Sequence, residues 1–80
     1  MATISIIGIG DLQTRQLREN VAAALAIYPV NSEVVNVTEV STIVASGVSQ
    51  TPALLFDHEI IAEGVVPSIA EIIHLFKRHF

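Results

Sequence analysis

The sequence predicts an α/β domain of order β-α-β-α-β-β-α, with a four-stranded mixed sheet and helices on both of its faces. Three observations carry this. The first half alternates short β-branched runs with helical stretches, which implies parallel pairing through a right-handed crossover. Asp57-His58 separates two short apolar runs, the spacing of an antiparallel hairpin. Ser68 and Glu71 stand at capping-box spacing ahead of an apolar-periodic stretch, which opens a last helix.

The elements follow in order. Ala2 to Ile7 is a strand, because Ile4, Ile6 and Ile7 are β-branched with Thr3 and Ser5 between them. Gly8 and Gly10 break it. Leu12 to Ile27 reads as a helix with Leu17, Val21, Ala24, Leu25 and Tyr28 on one stripe and Arg15, Arg18 and Glu19 on the other side. Tyr28-Pro29 ends it. Ser32 to Val37 is the second strand, through Val34, Val35 and Val37. Thr38 to Ser46 is a short helix closed by Gly47, with Val40, Ile43 and Val44 expected inward and either Asn36 or Thr38 placed to cap it. Pro52 to Phe56 and Glu59 to Glu63 form the hairpin, whose turn needs the positive φ that Asp and His tolerate. In the last helix Ile69, Ile72, Ile73, Phe76 and Phe80 mark the buried side, and Lys77, Arg78 and His79 fall in the final turn, where cations suit the dipole.

Eighty residues make one domain, spanning 1–80. A chain this short buries only about 60% of its unfolded surface, so each large apolar side chain counts. Apolar residues make up 51% and charged residues 15%, a balance that folds and leaves little charge to cover the outside. The net charge is −4 and the basic residues, Arg15, Arg18, Lys77 and Arg78, form no stripe, so no nucleic-acid partner is expected. No cysteine is present, which excludes disulfides, zinc-thiolate sites and thiol catalysis. The start of the chain does not read as a signal peptide and no apolar run reaches the ~20 residues of a membrane span, so a cytoplasmic location without membrane association is expected.

Three stretches carry a resemblance. Gly8-Ile9-Gly10-Asp11-Leu12-Gln13-Thr14 lies where the first strand hands over to the first helix. Thr51-Pro52-Ala53-Leu54 opens the third strand, and Gly64-Val65-Val66-Pro67-Ser68-Ile69-Ala70-Glu71 leads into the last helix. Together with the element order, they resemble the thioredoxin fold over the whole chain. The likeness is to small thioredoxin-like and glutaredoxin-like proteins of the redox-active disulfide protein or thiol-disulfide isomerase type. In that family a Gly-x-Gly-Cys-x-x-Cys stretch starts the first helix, faced by a Thr-Pro pair with a cis peptide. Here the glycines stand, but Asp11 and Thr14 occupy the cysteine places.

That difference decides the chemistry. Thiol-disulfide exchange needs a thiolate to attack sulfur, and neither Asp nor Thr forms a mixed disulfide. An oxidoreductase or isomerase label would therefore describe ancestry, since fold is inherited more easily than chemistry. Asp11 reads first as a helix N-cap, with Arg15 four positions on and able to pair with it. An anion site at the same helix start is disfavoured by Asp11's own charge. Gly8-x-Gly10 also begins a dinucleotide fingerprint, but Gln13 stands where the third glycine would fall. Residue statistics alone favour a trans Thr51-Pro52 bond opening an edge strand, whereas the resemblance implies a cis bond. The resemblance also implies that the backbone before the proline pairs with an extended substrate segment.

The expected function is a redox-inactive, thioredoxin-like module that binds a peptide or protein partner. Its candidate site residues are Gly10, Asp11, Leu12, Thr14, Thr51, Pro52, Gly64 and Val65. Ile9, Leu12, Pro52, Val65 and Val66 either form an exposed apolar patch beside it or, for Ile9 and Val66, are buried. Self-association into a homodimer through this patch is a second expectation. A glutathione-dependent enzyme without thiol chemistry, using Thr14 to steady the ligand's thiolate, is a third. No cofactor, metal site or catalytic residue is expected. His74 and His79 lie five apart, off the spacing of a helical metal pair.

Overall fold

The strand and helix boundaries follow the local chemistry of the chain. In the computed structural model, which describes residues 1–80, the elements are β1 (Ala2–Ile7), α1 (Leu12–Ile27), β2 (Ser32–Val37), α2 (Val40–Ala45), β3 (Ala53–Phe56), β4 (Glu59–Glu63) and α3 (Ile69–His79). The sheet order is β2-β1-β3-β4. β1 pairs parallel with β2, and β3 is antiparallel to both β1 and β4. Asp57 supplies the hairpin's positive φ of 55°. Its carboxylate accepts the Thr3 N–H at 3.0 Å while its own N–H donates to the Thr3 carbonyl at 2.7 Å, which ties the turn to β1.

Alternation along the strands separates two cores. Ile4, Ile6, Leu54 and Phe56 face α1 and α3, where Leu17, Val21, Ala24, Ile72 and Phe76 complete the main core. Ile7, Ala53 and Leu55 point to the other face and meet Val37, Ile43 and Val48. α3 starts as the sequence requires. Ser68 Oγ accepts the Glu71 N–H at 3.1 Å, and Glu71 accepts the Ser68 N–H in return. At the other end of α3, Phe56 packs edge to face on His79 and tilted against Phe76 and Phe80, and His79 Nδ1 lies 3.6 Å from Glu59 Oε2.

The short helix departs from expectation. α2 begins at Val40, not Thr38, and its N-cap is Glu39, which makes no side-chain capping bond; neither Asn36 nor Thr38 caps it. Only Ile43 turns to the sheet, while Val40 and Val44 are exposed, Val44 at 74%. A helix of barely two turns presents one position per turn to a flat sheet, so an inward stripe of three was too wide. β3 is also an inner strand, and the Thr51–Pro52 peptide bond that leads into it is cis. The edge-strand reading of Thr51-Pro52 does not hold.

Candidate functional site

The register brings the three motif stretches to one end of the sheet. Ile7 lies beside Ala53, and Ala53 beside Glu63. The chain leaving β1 at Gly8, entering β3 at Pro52 and leaving β4 at Gly64 therefore converges there. The Gly64 N–H donates to the Pro52 carbonyl at 2.9 Å, and the Gly8 N–H to the Val37 carbonyl at 3.0 Å. α1 starts at the same end. Asn20, midway along α1, donates from Nδ2 to the Pro67 carbonyl at 2.9 Å and so moors the 64–68 segment to α1.

Asp11 caps α1 with extended backbone. Its Oδ1 accepts both the Thr14 N–H at 3.0 Å and the Thr14 hydroxyl at 2.6 Å. These two bonds, hydroxyl first, hold the Asp11 carboxyl below its ordinary 3.8, against a small opposing loss of hydration. Arg15 contributes least, and no Asp11–Arg15 ion pair forms. An ionised carboxylate with a lowered pKa is a weak base at neutral pH. It also fills the helix start, where free N–H groups would otherwise attract an anion.

This geometry carries a pH prediction. The carboxyl is more acidic folded than unfolded, so its stabilising effect is complete above 3.8 and is lost as pH falls through the folded value below that. Asp11→Asn keeps a cap that does not titrate. Wild type is expected to melt above the variant at neutral pH, and the gap to shrink below pH 3.8. Every other carboxylate is common to both proteins, so a gap unchanged near pH ~3 would show that Asp11 is not the acidic cap described.

The eight candidate residues divide into two groups. Gly10, Asp11, Leu12, Thr51, Gly64 and Val65 are exposed or half-buried at this end of the sheet. Thr14 and Pro52 are fully buried and support the site from beneath without lining it. Thr14 cannot touch a ligand, and its hydroxyl proton is already given to Asp11. The sequence offered no sign of its burial, because the cause is a contact with Gly8. A Cβ on Gly8 would sit on Thr14 Oγ1 and 2.8 Å from its Cγ2. Asn20 and Gln50 were also missed; the Gln50 amide oxygen lies where a Cβ on Gly64 would go.

Above this base the surface is apolar and open. Leu12 is 75% exposed, Ile9 63% and Val65 58%, while Val66 is half-buried against the main core. Thr51 is exposed, and neither its N–H nor its carbonyl has a partner within the chain. The three cavities of the molecule lie elsewhere, so this site is a face and not a cleft. No helix is long and apolar enough to cross a membrane.

Comparison with known proteins agrees with the architecture. A family model described as "Thioredoxin domain" matches residues 2–77. A protein named "Thioredoxin" from Methanocaldococcus jannaschii is 40% identical over 72 residues, covering 90% of this chain and 83% of that protein.

Proposed function

We propose that this chain, which belongs to the thioredoxin-domain family, is a binding module that takes an extended peptide segment of a protein partner across the sheet end. The chain has no cysteine, so thiol–disulfide exchange is not available to it. What remains is the frame. The supporting observation is Thr51: an exposed residue with both backbone hydrogen-bonding groups unpaired, on segments that converge with those carrying exposed Leu12, Ile9 and Val65. Backbone pairing to Thr51 supplies affinity for any extended segment, and the apolar side chains favour partners with apolar residues at alternate positions. A glutathione-dependent reading lacks its key group, because Thr14 is buried and committed to Asp11.

The test is a titration of ¹⁵N-labelled protein with an S-alkylated insulin B chain, an extended peptide without free thiols. Amide shifts are expected to concentrate in residues 9–14, 50–53 and 64–66. Leu12→Ser is expected to weaken binding about fivefold or more through lost apolar burial. Shifts spread over the rest of the molecule, or equal binding by the variant, would overturn the proposal.

A further inference from the structure

β2 is an edge of the sheet, paired on one side only, with β1. Successive residues of a parallel strand alternate in the side their backbone groups serve. The Asn31 carbonyl accepts the Ala2 N–H and the Val37 carbonyl the Gly8 N–H, so the odd-numbered residues of β2 turn to β1. The N–H and C=O groups of Ser32, Val34 and Asn36 therefore point outward, and no turn, loop or cap bond uses them. Folded proteins blunt such edges with Lys, Pro, charges or bulges. β4, the other edge, carries Glu59 and Glu63 at its ends and a register shift beside Leu54 and Leu55. β2 keeps a regular register over its 6 residues, has neither Lys nor Pro, and holds Glu33 as its one charge. Val34, near its middle, is 40% exposed.

We propose that β2 pairs antiparallel with β2 of a second copy of this chain, about a two-fold axis through Val34. In that register Val34 faces Val34 and Ser32 faces Asn36, so every outward group finds a partner. Moving the axis to Glu33 or Val35 leaves Asn36 or Ser32 opposite a residue outside the strand. The strand's own length thus selects the register. Such an axis stands upright on the sheet, so the α1 side of both copies lies on one face. There Val34 and Asn36 border an apolar groove with Ile6, Val21 and Leu25, and the second strand extends its floor with a β-branched cross-strand pair. Preorganisation favours a second copy over a free peptide. A peptide loses backbone entropy in becoming a strand, whereas β2 is already held extended by β1. On the opposite face Glu33 meets Val35, which makes the two Glu33 carboxylates diagonal neighbours that weaken the pairing. The interface shares no residue with the Thr51 face, so the two readings stand or fall separately.

The experiment is sedimentation of the full chain from about 10 μM to about 1 mM, because a single strand pair falls at the small end of specific interfaces. A monomer–dimer equilibrium is expected. Val34→Pro removes an outward N–H and no bond to β1, so it is expected to fold and to dimerise about tenfold more weakly or worse. Val34→Lys is expected to act alike and serves if the proline variant does not fold. Glu33→Gln is expected to tighten the dimer about two- to fivefold. In a mixture of labelled and unlabelled chains, an intermolecular NOE is expected between the α-protons of Glu33 and Val35, the close, non-hydrogen-bonded pair. A chain monomeric at the highest concentration, a dimer indifferent to the Val34 variants, or concentration-dependent shifts gathered at residues 9–14 and 51–53 would overturn the proposal. So would shifts at residues 32–36 when S-alkylated insulin B chain is added to a chain that stays monomeric, since β2 would then be taking a foreign strand.

Discussion

Phe76→Ala is expected to cost the domain about 3–5 kcal/mol, the usual range for truncating a buried aromatic. Phe76 has no exposed surface, and its ring centroid lies 5.5 Å from that of Phe56 and 6.1 Å from that of Phe80. It belongs to the main core, where α1, α3 and two strands meet. The loss is large for two reasons. A ring this deep cannot be replaced by water without leaving a cavity, and the surrounding strands are held in register from both sides and cannot collapse into it. Native domains have only about 5–15 kcal/mol to lose, and a chain of this length belongs near the bottom of that range. Urea unfolding should therefore show a midpoint near zero denaturant, or a chain already partly unfolded in buffer. A loss under about 1 kcal/mol would mean that the packing around Phe76 is not as described.

The same variant separates stability from site geometry. α3 begins directly after the Gly64–Ser68 segment, which Asn20 moors to α1. A destabilised but still folded Phe76 variant with an unmoved Thr51 amide resonance would show that the sheet end is held by the strands themselves. The register there already argues for this, because Gly8, Pro52 and Gly64 are each bonded to, or adjacent to, a paired strand residue.

What could be read from the residues was what local chemistry decides. β1, α1 and β2 came out with their observed bounds because β-branched runs, an apolar stripe and the Tyr28-Pro29 stop act over short spans. Ser68 and Glu71 announced α3 because a capping box is a contact between near neighbours in sequence. The Asp57 turn was legible because few residues accept its φ. Some misreadings depended on distant partners, whereas those of the Asp11–Arg15 pair and of the α2 cap were local. Val40 and Val44 looked like core residues, yet the sheet face opposite α2 is met only through Ile43 and Val48. Arg15 had the spacing to pair with Asp11, but the Thr14 hydroxyl reached the carboxylate first. Thr14 and Pro52 looked like surface site residues because the motif is continuous in sequence, whereas the sheet packs part of each motif stretch inward.

Gly8 shows how such a distant contact governs the site, and Gly8→Ala is expected to cost about 1–3 kcal/mol, the range for overfilling a packed position. The glycine is not needed for its backbone conformation, since its φ is not among the positive ones. It is needed for space: the missing Cβ is where Thr14 Oγ1 and Cγ2 already are. Thr14 cannot swing away cheaply, because its hydroxyl is fixed at 2.6 Å on Asp11 and its side chain is wholly buried. The alanine must therefore push the first turn of α1 away from β1, carrying Asp11 and Leu12 with it. A double-mutant cycle isolates this cause. Thr14→Ala removes the two colliding atoms, leaving a Cβ at 3.0 Å from the new methyl. The Gly8→Ala/Thr14→Ala protein is then expected to be more stable than the sum of the single losses predicts, by about 0.5–3 kcal/mol. Strictly additive losses would show that the clash is relieved elsewhere. Because the displacement runs through Leu12, Gly8→Ala should also weaken peptide binding at the sheet end.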